Sequence, residues 1–277
     1  MKSIIVFVSI LLVVIFLSWF VYCQDNNLVI SEYTYSNPNI PLDFNGYKII
    51  QLSDLHDKAF GENQEKLLSY IDSIKPDAIF LTGDFVTKKS IENSKILVEK
   101  LSSKYKMFFV PGNHETGYVK YEELKNILIN NNVCILENDV AIITQGDSVI
   151  NVLGLKDPAF YKKSESINVQ KMEEALEELM DGVEGTTLLL AHRPEYINIY
   201  SAYDIDIVFS GHAHGGQFIF PFVGSVYSPD QGLFPKLTQG QHERNGTTMI
   251  ISRGLGNLAP VPRLFNYPEI VVVTLRN

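Results

Sequence analysis

Hydrophobic and polar positions fall into three regimes along the chain. From Ile4 to Tyr22 every position is apolar except Ser9 and Ser18. As a helix this run spans about 28 Å, close to the thickness of the hydrocarbon layer of a bilayer. Beyond it, short apolar runs alternate with stretches whose apolar residues recur at helical spacing. Residues 28–35 predict a first strand, and Asn37-Pro38 and Pro41 punctuate the connection after it. Residues 48–52 predict a strand. Leu67, Leu68, Ile71 and Ile74 predict a helix that Pro76 stops. Strands are expected at 78–81 and 107–110. Helices are expected at about 90–101, with Ile91, Leu97, Val98 and Leu101 inward, and at about 119–130.

The middle of the chain changes character. The runs 133–136, 140–143 and 149–153 lie close together with turn residues between them, a spacing that predicts antiparallel pairs. A helix over about 169–180 carries Met172, Leu176 and Met180 on one face and solvated acidic residues on the other. A strand at 187–191, a helix at 194–202 and a strand at 205–209, interrupted only by Asp206, follow. Residues 247–252 and 270–275 read as closing strands. No internal repeat appears, and nothing after residue 47 marks a domain boundary. The expected organisation is an anchor at 1–25 followed by a single catalytic domain at 26–277.

The residues before Cys23 are Phe20, Val21 and Tyr22, too bulky for a signal-peptidase site or for lipid attachment at that cysteine. An uncleaved anchor is therefore expected rather than a cleaved signal. Lys2 precedes the apolar run, and no Lys or Arg occurs from 23 to 47. The positive-inside rule then predicts a single-pass cell-membrane protein with its bulk on the extracytoplasmic side. The net charge of −9 and the lack of a basic stripe or nucleic-acid motif disfavour nucleic-acid binding. The two cysteines, Cys23 and Cys134, sit in an apolar segment and a strand-like run and predict no disulfide framework.

The chemistry gathers at strand ends. Gly211-His212-Ala213-His214-Gly215-Gly216 follows an apolar strand, and its glycines permit the turn that lets two imidazoles converge. Asp54, His56, Asp84, Asn113, His114, His192, His212 and His214 all lie within a few residues of the C-terminal end of a predicted strand. Of the six histidines only His242 is outside this set. In open α/β sheets ligands bind beyond the carboxyl ends of the strands, so five strand ends would project these side chains into one region. Carboxylate, amide and imidazole ligands suit two first-row divalent ions (Mn, Fe, Zn or Co) better than calcium. Such a pair turns a bridging water into hydroxide near neutral pH and clamps a phosphoryl oxygen.

Asp54-x-His56, Gly83-Asp84, Gly112-Asn113-His114-Glu115, His192 and Gly211-His212-x-His214 together resemble the motif set of the calcineurin-like metallophosphoesterases. Ser53-Asp54-Leu55-His56, Ala191-His192-Arg193-Pro194-Glu195, Gly215-Gly216-Gln217 and Ser252-Arg253-Gly254-Leu255-Gly256 resemble the membrane-associated bacterial branch of YkuE- and YaeI-like phosphoesterases. The resemblance implies a four-layer α/β/β/α sandwich. It implies one metal held by Asp54, His56, Asp84 and His214 and a second held by Asp84, Asn113, His192 and His212, with Asp84 bridging. It implies that His114 faces the substrate and protonates the leaving oxygen or stabilises the transition state, with Glu115 behind the site orienting a neighbour. Ala213 departs from the Thr common in this branch, and Asp57 has no assigned place. Arg193 and Arg253 are candidate phosphate-binding residues, with a structural salt bridge the alternative for each. Phe218, Phe220, Phe222, Tyr227 and Phe234 would line a substrate or lipid-facing groove, or else form core. The expected activity is hydrolysis of a phosphodiester, phosphomonoester or pyrophosphate bond, on an envelope lipid or nucleotide-linked substrate. A catalytically idle metal-binding scaffold at the membrane is the alternative, and a protein phosphatase the weaker enzyme reading.

Overall fold

A computed structural model describes residues 1–117, 119–257 and 262–277 of the chain. The elements run α1 (Lys2–Asn26), β1 (Val29–Ser36), β2 (Lys48–Leu52), α2 (Glu65–Ile74), β3 (Ala78–Leu81), α3 (Glu92–Ser102), β4 (Lys106–Phe109), α4 (Val119–Asn130) and β5 (Cys134–Ile135). Next come β6 (Asp139–Gln145), β7 (Ser148–Leu155), α5 (Glu165–Met180), β8 (Thr187–Ala191), α6 (Ile197–Tyr200) and β9 (Ile207–Ser210). Two small hairpins, β10 (Ile219–Phe220) with β11 (Gly224–Ser225) and β12 (Tyr227–Ser228) with β13 (Gly232–Leu233), lead to β14 (Gly240–Arg244), β15 (Thr247–Ile251) and β16 (Glu269–Arg276).

The long strands form two six-stranded sheets, ordered β1-β16-β2-β3-β4-β5 and β14-β15-β9-β8-β7-β6. Alternate side chains on each strand explain why their sequences are nearly continuous apolar runs. Ile49, Ala78, Phe80 and Phe108 of the first sheet meet Val152, Leu188, Leu190, Ile207 and Phe209 of the second in a core between the sheets. Their neighbours Ile50, Leu52, Ile79, Leu81 and Phe109 point the other way, onto Leu67 and Ile71 of α2, Leu97 and Leu101 of α3, and Leu124 and Leu128 of α4. Leu153, Leu189, Val208 and Met249 likewise face Met172, Leu176 and Leu179 of α5 and Ile197 and Tyr200 of α6. Both faces of both sheets are covered, and the expected four-layer α/β/β/α sandwich results.

Three elements differ from the sequence expectation. The 133–136 run does not join the antiparallel group: β5 lies parallel to β4 at the edge of the first sheet, while β6 and β7 form the antiparallel pair in the second. The helix expected over 194–202 is a 3-10 turn at 194–196 followed by the single turn of α6. β14 carries no apolar alternation because it is a polar edge strand that only β15 pairs among the described residues.

The ends of β2, β3 and β4 in one sheet, and of β8 and β9 in the other, open onto the same edge of the sandwich. α1 is long and apolar enough to cross a membrane, and its apolar window is wholly outside the protein core. Its last turn docks on the segment before β16. Gln24 accepts the Phe265 N–H (2.6 Å) and donates to the Tyr267 hydroxyl (3.1 Å), and Lys66 donates to the Asn26 carbonyl (2.8 Å).

Candidate active site

Just beyond β2, β3 and β9 the chain turns sharply. Asp54, His56, Asp84, His212 and His214 all adopt positive φ, between 47° and 62°. Side chains other than glycine reach this left-handed region at some cost, and it swings them out of the strand direction into the space between the two sheets. The loops are then zipped together. The Asp54 N–H donates to the Gly83 carbonyl (2.9 Å) and the His56 N–H to the Asp84 carbonyl (2.9 Å). The His212 N–H, from the second sheet, donates to the Asp54 carboxylate (3.1 Å).

Close approach depends on glycine at several points, Gly112 and Gly211 among them. A Cβ on Gly112 would lie 2.3 Å from Asp84 Oδ1 and 2.8 Å from His192 Nε2; one on Gly211 would lie 1.9 Å from Ser53 Oγ and 2.4 Å from Asp54 Oδ2. Any other residue would push the ligand carboxylates out of place.

Glu115 has a definite part in this frame. It is fully buried, and its carboxylate accepts four backbone N–H groups: Asp84 (2.8 Å) and Gly112 (2.7 Å) on one oxygen, Phe85 (2.8 Å) and Val86 (3.2 Å) on the other. Burial and the nearby Asp84 charge push its carboxyl up to about 7, with the Asp84 and Gly112 N–H groups and His192 pulling the other way. Asp57, unassigned by the sequence, accepts the N–H groups of Asn93 (2.8 Å) and Ser94 (3.0 Å) and so caps the start of α3.

The sequence-predicted residues come together in two groups that meet at Asp84. On one side, His56 and His214 face each other with Nε2 atoms 3.1 Å apart, and Asp54 Oδ1 lies 3.4 Å from His214 Nε2. Burial pushes His56 down to about 3 and drives His214 well below the usual imidazole range, where Arg263 reinforces the shift. Two neutral rings and a carboxylate thus aim electron pairs at one point, which a cation satisfies. On the other side, His192 Nε2 lies 3.2 Å from Asp84 Oδ2, and its Nδ1 is 2.7 Å from the Thr82 carbonyl, which fixes the ring. Asp84, His192 and His212 offer ligand atoms all within 4.8 Å of one another. Asn113 Oδ1 and His192 Nε2 are buried without a hydrogen-bond partner. Unpartnered buried acceptors of this kind are costly unless an ion completes them, so both groups fit a divalent metal.

His114 sits at the rim. Its side chain is 29% exposed, its Nε2 is 4.0 Å from Asp84 Oδ2, and its backbone N–H donates to Asp84 Oδ1 (2.8 Å). With Asn113, His212 and His214 it lines a cavity of about 280 Å³ that Gln217, Tyr227, Asp230 and Asn257 also bound.

The two arginines are engaged by carboxylates. Arg193 pairs with Asp157 (2.8 Å), Glu195 (3.3 Å) and Asp230 (2.5 Å), and Arg253 pairs with Glu269 (3.0 Å). Neither is among the described residues that line the cavity. Of the aromatic stretch, Tyr227 lines the cavity, while Phe220, Phe222 and Phe234 are exposed and form no core.

Two neighbours of the site escaped the sequence reading. Asp230 Oδ2 is 3.0 Å from His212 Nε2 and orients that ring from the solvent side. Arg263 is fully buried, donates to the carbonyls of Arg253 (2.9 Å) and Gly256 (2.5 Å), and places Nη2 3.3 Å from His214 Nδ1. Neither lies at a strand end or in a motif, so no local signal marks them.

Comparison with known proteins agrees with this geometry. The family model for calcineurin-like phosphoesterases matches residues 47–216, more than half of the chain. The chain is 28% identical over 263 residues to the uncharacterized metallophosphoesterase YkuE of Bacillus subtilis, covering 92% of this chain and 88% of that protein. It is 24% identical over 313 residues to LpxG of Chlamydia muridarum, named as a UDP-2,3-diacylglucosamine pyrophosphatase, covering 92% and 91%. Among solved structures, the sulfate thiohydrolase SoxB of Thermus thermophilus shares the fold, with a TM-score of 0.50 at 11% identity over 77% of this chain and 52% of that one. Two groups of ligands meeting at one buried aspartate are what such a family requires, and the chain belongs to the calcineurin-like phosphoesterases as a metal-dependent phosphoesterase.

Proposed function

We propose that this phosphoesterase is anchored in the membrane by residues 1–25 and that its domain, 26–277, hydrolyses a phosphate ester or pyrophosphate carried by a lipid or nucleotide-linked lipid. The observation that carries the mechanism is Asp84. It is buried, and His56 (3.9 Å), His114 (4.0 Å) and His192 (3.2 Å) surround its Oδ2. One site then comprises Asp54, His56, Asp84 and His214, and the other Asp84, Asn113, His192 and His212. Bound metal supplies Lewis acidity for the phosphoryl group and lowers the pKa of an attacking water.

The chain's own residues do the rest. Glu115 holds the backbone of residues 84–86 and of Gly112, and through it the Asp84 carboxylate. The Thr82 carbonyl and Asp230 orient His192 and His212. His114, 29% exposed and lining the cavity, is placed to give a proton to the leaving oxygen. Arg193 and Arg253 serve as structural ion pairs, Arg193 by steadying Asp230. The lipid part of the reading rests on α1 and on the substrate named for LpxG.

The test pairs metal content with turnover. The full chain, purified in detergent, is stripped and reloaded with Mn, Fe, Zn or Mg. It is then assayed on soluble phosphodiesters, phosphomonoesters and lipid-linked pyrophosphates. Two equivalents of metal with metal-dependent cleavage of the lipid-linked substrate is the expected result. Vigorous cleavage of soluble esters with none of the lipid-linked ones would reject the lipid substrate.

A further inference from the structure

The anchor helix does not leave the protein through a free linker. Phe20 of α1 stacks edge-on against Phe265, with ring centroids 5.9 Å apart, and Phe265 in turn meets Phe220 of the β10–β11 hairpin at 6.5 Å. Phe20 lies six residues before the end of α1 at Asn26, about 9 Å back along the helix axis at 1.5 Å per residue. It therefore lies inside the apolar run 4–22, level with Trp19 and Tyr22, both exposed. Aromatic side chains of this kind concentrate where a span meets the headgroups. Whatever touches Phe20 shares its depth.

The hairpin that shares this depth has the chemistry of an interfacial segment. Residues 215–229 contain no Asp, Glu, Lys, Arg or His. At its tip Phe222 is fully exposed, Val223 is 59% exposed and Phe220 is 40% exposed, with Phe265 beside them at 48%. An uncharged apolar patch of this kind marks a contact surface, and the side it adjoins is the helix surface that a bilayer covers. The patch is also tied to the site. Ser225, in the hairpin, donates to the Gly215 carbonyl (3.0 Å), one residue past His214, and the Ile219 N–H donates to the Leu264 carbonyl (3.0 Å). Asn257, which lines the cavity, donates to Asp25 at the end of α1 (3.4 Å).

We infer that the β10–β11 hairpin and Phe265 sit in the membrane interface beside α1, so that the cavity by His114 opens onto the headgroup layer and takes the phosphate of a lipid whose chains stay in the bilayer. This deepens the function proposed above and rests on its reading of α1 as a membrane span. The cavity holds a phosphate and its near neighbours, while the acyl chains need no pocket in the protein. The uncharged strap leading away from His214 is the surface they pass.

The chain has a single tryptophan, Trp19, which makes depth measurable. The full chain is reconstituted into vesicles of phosphatidylglycerol with chain-brominated phosphatidylcholine, and emission is compared with bromine-free vesicles. Trp19 emission should be quenched. In a Trp19→Phe background, the indole introduced by Phe222→Trp should be quenched as well. Quenching of Trp19 but not of the introduced indole would overturn this inference and leave the anchor intact. An unquenched Trp19 would overturn the anchor and this inference with it. In the same vesicles Phe222→Ser should cut cleavage of a vesicle-embedded lipid phosphate several-fold while cleavage of a soluble ester holds; an equal loss on both would also count against it.

Discussion

Replacing Glu115 with Gln tests the claim that one buried carboxylate holds the frame of the site. The side chain keeps its size and one oxygen but exchanges the other for an NH2 group. Two of the four backbone donors, either those of Asp84 and Gly112 or those of Phe85 and Val86, then face another donor. A buried donor left without an acceptor costs about 1–3 kcal/mol, so the change should destabilise the protein by roughly 2–6 kcal/mol. That is a large share of the 5–15 kcal/mol typical of native stability. For a chain of this size about 2–4 °C accompanies each kcal/mol, so melting should fall by at least about 4 °C. The assay is calorimetric melting of the metal-free full chain at fixed scan rate, read at about pH 5 and about pH 8: with the carboxyl raised to about 7, ionising it costs the native protein stability as pH rises, so the loss on substitution should be full at the lower pH and shrink toward the higher. Metal content is measured on a separate, metal-reloaded sample, and it should fall because the Asp84 backbone loses its tether. A melting shift below about 1 °C with metal content unchanged would refute the reasoning.

His114→Ala should keep fold and metal but lower turnover by roughly a hundredfold or more, the scale of a lost general acid; undiminished turnover removes His114 from the mechanism. Asp84→Asn should weaken both metal sites together, read as metal equivalents by elemental analysis, and loss of one equivalent alone would show that Asp84 is not shared. Asp57→Ala should cost about 1 kcal/mol of stability through the start of α3 and leave turnover near that of the parent, so a fall in metal content would show that Asp57 does more than cap a helix.

Much of this molecule could be read along the chain. The runs 49–52, 78–81 and 187–191 are apolar on both faces apart from Gln51 and Thr187, a pattern that strands covered on both faces require, and the structure buries all of them. The motif residues were legible because each lies directly after such a run, where a parallel strand must end. The turn chemistry was legible in part, since Gly112 and Gly211 stand where a Cβ would strike Asp84 or Asp54.

What the chain could not show by itself is which strand lies beside which. Periodicity reports how many faces of a strand are covered and carries nothing about the partner across the hydrogen-bond ladder. Thus 133–136 looked like the start of an antiparallel group and instead extends the first sheet alongside β4. The sequence likewise pointed to five strand ends converging on one region without saying how they divide between the sheets; the structure supplies three from one sheet and two from the other, joined where the His212 N–H meets Asp54. Asp230 beside His212, Arg263 beside His214 and the four donors around Glu115 belong to the same class. Each is a contact between residues whose neighbours in sequence repeat no pattern, so only the folded chain, by closing the two sheets on each other, brings them together.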